Sequence, residues 1–257
     1  MSEFIIGVFV FHLEIDNFVK KFKMHIFFTQ DIDLNFSRLT EEESRHAVKV
    51  LRLKPGDEIL QTDGKGYFYK TRIAEIRSKY CQTEIIEKIK QEKDRSFNIH
   101  IAVAPTKNMD RLEWFAEKAT EIGIDEISPL RCRFSERKEL KNERIERVLI
   151  AAMKQSKKAY LPKLNPIRNF STFVRENIPG QKFIAHCYDD IEKLPLKNVY
   201  TNNNQDVTIL IGPEGDFSKE EVEEALSAGF QSVSLGNSRL RTETAALVAC
   251  HTIHILQ

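Results

Sequence analysis

The chain has 257 residues, with 39 lysines and arginines against 38 acids, and 41% of it is hydrophobic. This excludes a disordered or fibrous polymer, and a formal net charge of +1 excludes a uniformly basic nucleic-acid coat but not a local basic patch. The length suits one large domain or two modest ones. Cys81, Cys132, Cys187 and Cys250 are far apart and none lies in a C-x-x-C. A disulfide framework or a cysteine zinc site is therefore disfavoured, no metal is expected, and a reducing, cytoplasmic setting is.

The first apolar run, Phe4–Phe11, is far short of the ~20 residues of a membrane span. No basic residue precedes it and no A-x-A pattern follows, so a signal peptide fits poorly. Met24 opens MHIFFTQD like a fresh start, so residues 1–23 are expected to be an N-terminal extension or a misplaced start. The alternative is an edge strand or helix packed on the body.

Residues 24–93 read as mostly β. Thr40-Glu41-Glu42-Glu43 is a capping box that opens a short helix through His46 and Val50. A turn follows at Lys54-Pro55-Gly56-Asp57. Glu58–Thr62, Tyr67–Ile76 and Tyr80–Ile86 are strand-like, and Asp63-Gly64-Lys65-Gly66 joins the first two as a hairpin. Strands so spaced suggest a small barrel, with the charged residues 87–95 as linker.

Residues 97–257 change rhythm. Strand candidates Asn98–Ala104, Glu126–Leu130, Lys182–Cys187, Asp206–Gly212 and Phe230–Gly236 alternate with helical patterns. One helix carries Leu112, Phe115, Ala116, Ala119 and Ile122 on a face and stops at Gly123; another carries Ile145, Val148, Leu149 and Ala152 and ends before Pro162. Trp114 and the helix-spaced phenylalanines read as core. Continuous apolar strands imply a parallel sheet covered on both faces, hence an α/β domain.

The charge is concentrated. Residues 131–168 carry a net +8, and no acid lies between Ala151 and Arg168. Lys141–Arg147, interleaved with Glu143 and Glu146, reads as a solvated helix face with intrahelical pairs. The stretch Lys154–Arg168, without acids of its own, reads as a phosphate-backbone contact.

Two strand ends carry unusual residues. Val207–Ile211 runs into Gly212-Pro213-Glu214-Gly215, after which Ser218 and Glu221 form a capping box. The second strand ends at Gly236, and the polar Asn237–Arg241 leads into an apolar helix near Thr242. Ligands of open parallel sheets bind at such carboxyl ends. Neither loop is a G-x-G-x-x-G or a Walker loop, so a nicotinamide or nucleoside triphosphate site is poorly supported. His251 and His254 have no third ligand spaced with them and read as helix packing. His46, near Arg45, Lys49 and Arg52, reads as solvated or RNA-facing.

GPEG-D-F-S-x-x-E from Gly212 to Glu221, followed by LG-x-x-x-LR-T-E-T-A from Leu235 to Ala245, resembles the last third of the RsmE family, the bacterial 16S ribosomal RNA uridine-N3 methyltransferases. Val50–Asp57, Lys107–Gly123 and Ala151–Ser156 resemble further segments of that family in the same order, so the likeness runs from Met24 to the C-terminus. Asp216 departs from it, standing where the family usually has a second glycine. Lys157 and Lys158 stand where an arginine is commoner, and residues 1–23 have no counterpart.

The resemblance implies a SPOUT-type, trefoil-knotted α/β domain after a PUA-like RNA-binding β-barrel, with S-adenosyl-L-methionine as cofactor and a homodimer as the assembly. It places the cofactor against Leu210, Gly212, Pro213, Glu214, Gly215, Leu235, Gly236, Leu240, Thr244 and Ala245, mainly through main-chain groups. It makes Arg52, Arg133, Lys154, Gln155, Lys157, Lys158 and Lys163 the RNA-contact candidates, on ribosomal RNA of the small subunit. The N3 imide of uridine becomes nucleophilic on losing its proton, and the charge spreads onto O2 and O4. Arg241 is the candidate to stabilise that charge, and Glu243 and Glu214 are candidate bases or loop organisers. For both glutamates a structural salt bridge is at least as good a reading. Two alternatives remain: a transfer-RNA ribose 2′-O methyltransferase of the same fold class, and a non-catalytic ribosome-assembly module.

Overall fold

Within residues 25–257, which this computed structural model describes, the chain divides into two units. One takes the residues up to Glu92 together with Lys157–Tyr160; the other takes Lys93–Ser156 and Leu161–Gln257. The expectations for residues 1–23 lie outside the described residues.

The first unit is a five-stranded sheet. β1 (Ile26–Phe28) pairs parallel with β3 (Glu58–Thr62), which pairs antiparallel with β4 (Tyr67–Ile76); β5 (Cys81–Lys90) follows β4 and β2 (Phe36–Arg38) closes the order. Side-chain alternation splits β3 between two cores. Ile59 joins Phe27, Leu39, Ala47 and Ile73, whereas Leu60 joins Ile26, Phe68 and Ala159. α1 (Glu41–Arg45) is capped by the Thr40 hydroxyl, which accepts from Glu43 N, but the Glu43 carboxylate accepts from Phe28 N and so ties the helix to β1. The chain then widens into i→i+5 turns over His46–Val50. The half-buried His46 ring packs beside His25 and Phe27.

One expectation needs correction here, and another gains a distant partner. β5 runs on to Lys90, so the first four of the nine expected linker residues are strand: its charged side chains point outward while its backbone pairs with the long β4. The hairpin at Asp63–Gly66 is also closed by a distant segment. Gly66 N donates to Ala159 O, and a Cβ on Gly66 would lie 2.5 Å from the Tyr160 ring. Sequence order gave no sign that Lys157–Tyr160 belongs with this unit.

The second unit is an eight-stranded sheet, parallel throughout. Its order is β11 (Leu194–Pro195), β13 (Gln231–Ser234), β10 (Gln181–Ala185), β12 (Val207–Ile211), β6 (Ile99–Val103), β7 (Glu126–Arg131) and β8 (Lys163–Leu164), with β9 (Arg168–Asn169) also on β7. Ile99, Ile101 and Val103 of β6, with Val207, Ile209 and Ile211 of β12, pack under α2 (Met109–Ile122), α3 (Asn142–Gln155) and α7 (Thr242–Ile255). Ala102 and Leu210 face the other way, toward α4 (Phe170–Val174) and α6 (Lys219–Ser227); α5 (Leu196–Val199) lies between β11 and β12 in the chain. Phe115 is fully buried in α2, but Trp114, read as core, is 42% exposed, because it projects from the flank of a helix whose buried face is set by Leu112, Phe115, Ala116 and Ala119.

One half-buried polar row crosses this sheet. His100 Nε2 lies 2.8 Å from Ser128 Oγ and its Nδ1 lies 3.4 Å from Thr208 Oγ1, while Asn165 Nδ2 donates to Ser128 Oγ and Glu126 Oε1. Burial, opposed by the charge of Glu126, pushes the His100 imidazole down to about 4. Unfolded, it titrates near ~6.5. Stability should therefore be intact above that pH and fall as pH drops toward 4, by about 3 kcal/mol at most. Chemical denaturation as a function of pH, with His100→Gln flattening the curve, checks this.

Candidate active site

Because all strands of the second sheet are parallel, their carboxyl ends lie along one edge, and the loops that leave them are tied to one another. β12 exits into Gly212, whose carbonyl accepts the Thr242 hydroxyl at 3.0 Å. That bond docks the first residue of α7 on the β12 exit and joins the two loaded segments found in the sequence.

The Gly212–Asp216 turn is held from several sides. Asp216 N donates to Pro213 O, and Asp216 sits at φ +67°. This left-handed conformation suits a glycine, and aspartate is tolerated because a short polar side chain can satisfy the local backbone. Its carboxylate accepts from Phe217 N at 2.8 Å and from Cys187 N, beyond β10, at 2.7 Å. The Glu214 carboxylate accepts from Lys107 N, beyond β6, at 2.9 Å. Phe217 is fully buried against Phe170, and Ser218 and Glu221 form the reciprocal capping box of α6.

The two glycines differ in kind. A Cβ on Gly212 would lie 3.0 Å from Phe217 N and 3.2 Å from its ring, so this glycine is demanded by the protein's own packing. Gly236 sits at φ +128° with nothing within 4 Å of where a Cβ would be, leaving open space beside the backbone. Its N–H donates to Ser234 Oγ and its carbonyl accepts from the same hydroxyl.

At the start of α7, Arg241 occupies the N-cap position, exposed and with no side-chain cap bond. Among the described residues it has no acidic partner within ion-pair distance. Glu243 is 8% exposed; its Oε1 lies 3.8 Å from Arg111 Nε, and its Oε2 has no hydrogen-bond partner among the described residues. The salt bridges weighed for the two glutamates thus run elsewhere than to Arg241: Glu243 faces Arg111 and Glu214 holds a backbone amide.

Pro213, Gly215, Leu235, Leu240, Thr244 and Ala245 all lie in these loops or in the first turn of α7. Leu210 is register-paired to Ile184 and Ala102 on either side and its side chain is fully buried, so only its main-chain groups could meet a ligand. His186, beyond β10, is buried with its Nε2 3.0 Å from Ser232 Oγ, and burial lowers its pKa.

The basic stretch does not form one helix face. Lys154 and Gln155 end α3, Lys157 and Lys158 belong to the first unit, and Lys163 starts β8. Nor is the stretch without acids in space. Lys163 pairs with Glu126 at 2.9 Å and Arg168 with Glu176. Arg144 reaches Asp110 and Glu113 on α2 instead of pairing along its own helix. Arg133 pairs with Glu220, and Arg52 is exposed at φ +57° on the first unit. Sequence reasoning missed Arg111, Thr242 and Arg137, whose guanidinium donates to Thr106 O and Lys107 O. Each acts on a residue distant in sequence, which no local pattern signals.

A family model described as an RNA methyltransferase domain matches residues 71–254, and one described as an RNA methyltransferase PUA domain matches residues 39–86. Ribosomal RNA small subunit methyltransferase E of Mesomycoplasma hyopneumoniae is 32% identical over 231 residues, covering 87% of this chain and 96% of that protein. The chain belongs to this methyltransferase family. Among solved structures, a probable rRNA-methyltransferase from Porphyromonas gingivalis is 42% identical with a TM-score of 0.85, covering 91% of this chain and 98% of that one. The Neisseria gonorrhoeae ribosomal RNA small subunit methyltransferase E, solved bound to S-adenosyl methionine, is 26% identical with a TM-score of 0.79 and the same coverage, 91% and 98%. The family assignment thus agrees with the resemblance drawn from the two loop motifs. Among the described residues, no helix is long and apolar enough to cross a membrane.

Proposed function

We propose that this chain methylates N3 of a specific uridine in 16S ribosomal RNA of the small subunit, with S-adenosyl-L-methionine as methyl donor. The observation that carries the reading is the bond from Thr242 to Gly212, which brings the GPEG loop and the LR-T-E-T-A helix start together at the carboxyl edge of the sheet. The residues fit the cofactor. Gly236 leaves open space beside its backbone, and Gly212, Pro213, Gly215, Leu235, Leu240, Thr244 and Ala245 offer small or apolar surroundings of the kind a nucleoside needs. Bound there, the cofactor supplies an electrophilic methyl group on a sulfonium.

The chain's own residues would then do three things. The tied loops fix the donor's position, so that much of the acceleration comes from orientation. Arg241, exposed and unpaired, stabilises the charge that spreads onto the uracil oxygens when N3 loses its proton. Glu243, buried with its Oε2 unpartnered beside Arg111, and Glu214, exposed with its Oε1 on Lys107 N, are the two candidates to accept that proton. Arg52, Arg133, Lys154, Gln155, Lys157, Lys158 and Lys163 are proposed to contact the RNA backbone. Replacing Lys154, Lys157 and Lys158 with alanine should weaken RNA binding. The slope of log affinity against log salt concentration should become shallower by about one for each phosphate no longer neutralised, read from binding isotherms.

A trefoil knot and a homodimer belong to the same reading. Both rest on the likeness to the family, and Ile255, 62% exposed on α7, is an apolar position that a homodimer would cover. The deciding experiment is methylation of unmodified small ribosomal subunits, with mass mapping of the product. A methyl group on N3 of one uridine is expected. In a parallel assay with unmodified transfer RNA, a ribose methyl group there and none on the subunits would favour the first alternative. Failure to bind the cofactor in calorimetry would favour a non-catalytic assembly role.

A further inference from the structure

We propose that Phe134 is the platform on which the target base stacks while it is methylated; this rests on the uridine methyltransferase reading above. A single exposed apolar side chain needs no explanation in itself. What distinguishes Phe134 is where and how it is held. It follows β7 directly, on the same carboxyl edge as the GPEG loop, and it is 46% exposed while its neighbours Cys132 and Ser135 are each 5% exposed. A Cβ added to Gly215 would lie 3.1 Å from Phe134 Cβ, so the glycine is what lets the phenylalanine sit against that loop.

The segment is anchored on both sides of it. Cys132 N donates to Ser135 Oγ at 2.9 Å, and Arg133 N donates to Glu221 Oε1 at 2.8 Å. Arg137 donates to Thr106 O and Lys107 O, and Lys107 N is itself held by Glu214. Residues 132–137 therefore form a strap bonded to the loop after β6 and to α6, packed on the GPEG loop. On that strap Phe134 is a fixed ring left half in solvent, with the Arg133 guanidinium 5.8 Å from its centroid.

The chemistry asks for such a ring. N3 lies on the pairing edge of uracil, so the base must leave its partner and its stack before it can react. An aromatic face returns the lost stacking and leaves N3, O2 and O4 free at the edge, where hydrogen-bonding groups act. Phenylalanine has no polar handle to compete for that edge, and an adjacent arginine adds a cation–π contribution. The strap's bonds keep the ring from following the base away.

The test uses the whole chain and unmodified small subunits. Phe134→Ala should lower kcat/KM for RNA on the order of 10-fold, the loss expected for one stacked base, while Phe134→Tyr retains most of it. Cofactor affinity, measured by calorimetry, should stay within about twofold. A Phe134→Trp variant adds an indole to the single Trp114. The emission it adds should be quenched by substrate RNA and not by subunits reconstituted with RNA that lacks the target base. Full kcat/KM in Phe134→Ala overturns the proposal, and so does quenching that ignores the target base. Parallel loss of cofactor affinity and turnover overturns it too, making Phe134 a prop for the loop. If the unaltered protein methylates no uridine of the small subunit, the functional reading itself fails.

Discussion

Gly212→Val should reduce cofactor affinity by a factor on the order of 100 at most while the sheet still folds, because the displaced loop loses interactions worth about 1–3 kcal/mol and each 1.4 kcal/mol is about tenfold in affinity. The first added carbon meets Phe217 N at 3.0 Å and the Phe217 ring at 3.2 Å. Neither can retreat easily. Phe217 N is bonded to the Asp216 carboxylate, and its ring is fully buried against Phe170. The displaced loop would also carry Gly212 O away from the Thr242 hydroxyl, leaving a buried donor and acceptor unpaired at about 1–3 kcal/mol. Gly212→Ala should already show part of the loss. Gly236→Val should act by another route, since open space surrounds its missing Cβ and the cost is a β-branched residue forced to φ +128°. Calorimetric titration of cofactor, beside circular dichroism as a check on folding, measures both. Normal binding by a folded Gly212→Val protein would show that the GPEG loop does not form the cofactor site.

Much of this site was legible in the sequence because its backbone demands are local. Gly212, Gly215 and Gly236 announce positions where a side chain is unwelcome, and Ser218 with Glu221 announces a helix start that the structure forms in full. Apolar runs announced β6, β7, β10, β12 and β13, since a sheet covered on both faces leaves no polar alternation to confuse the reading. Asp216 was visible only as a departure from glycine; its φ of +67° and its bond to Cys187 N supply the reason.

What stayed hidden depends on interactions between residues far apart in the chain. Arg111 meets Glu243 across two helices, and Arg137 reaches the carbonyls of the preceding loop; neither carries a motif of its own. Composition also misled. Lys163 and Arg168 lie in a stretch without acids, yet Glu126 and Glu176 meet them in space. Tyr160 reads as part of the second domain in order, but its ring is what Gly66 leaves room for in the first unit.

Arg241→Ala should slow turnover on the order of 100-fold, by analogy with loss of one oxyanion donor, and leave cofactor affinity nearly unchanged. The expectation of an unchanged affinity comes from the bonds between the loops. Glu214 is bonded to Lys107 N and Glu243 faces Arg111, so removing Arg241 undoes no link that holds the loops in place. Thr242, the residue that docks α7 on Gly212, keeps its bond, and Arg241's own carbonyl, which accepts from Ala245 N, survives the truncation. Arg241→Lys should fall between, since an ammonium keeps the charge but cannot present a planar pair of donors to a uracil oxygen. Raising the pH should restore part of the Arg241→Ala rate, because solvent then takes up the proton whose loss the arginine no longer assists. Single-turnover rates and cofactor affinities measured on the same preparations separate the roles. Equal losses in both would take Arg241 out of the chemical step and make it a scaffold for the start of α7, which its exposed, unpaired side chain does not suggest.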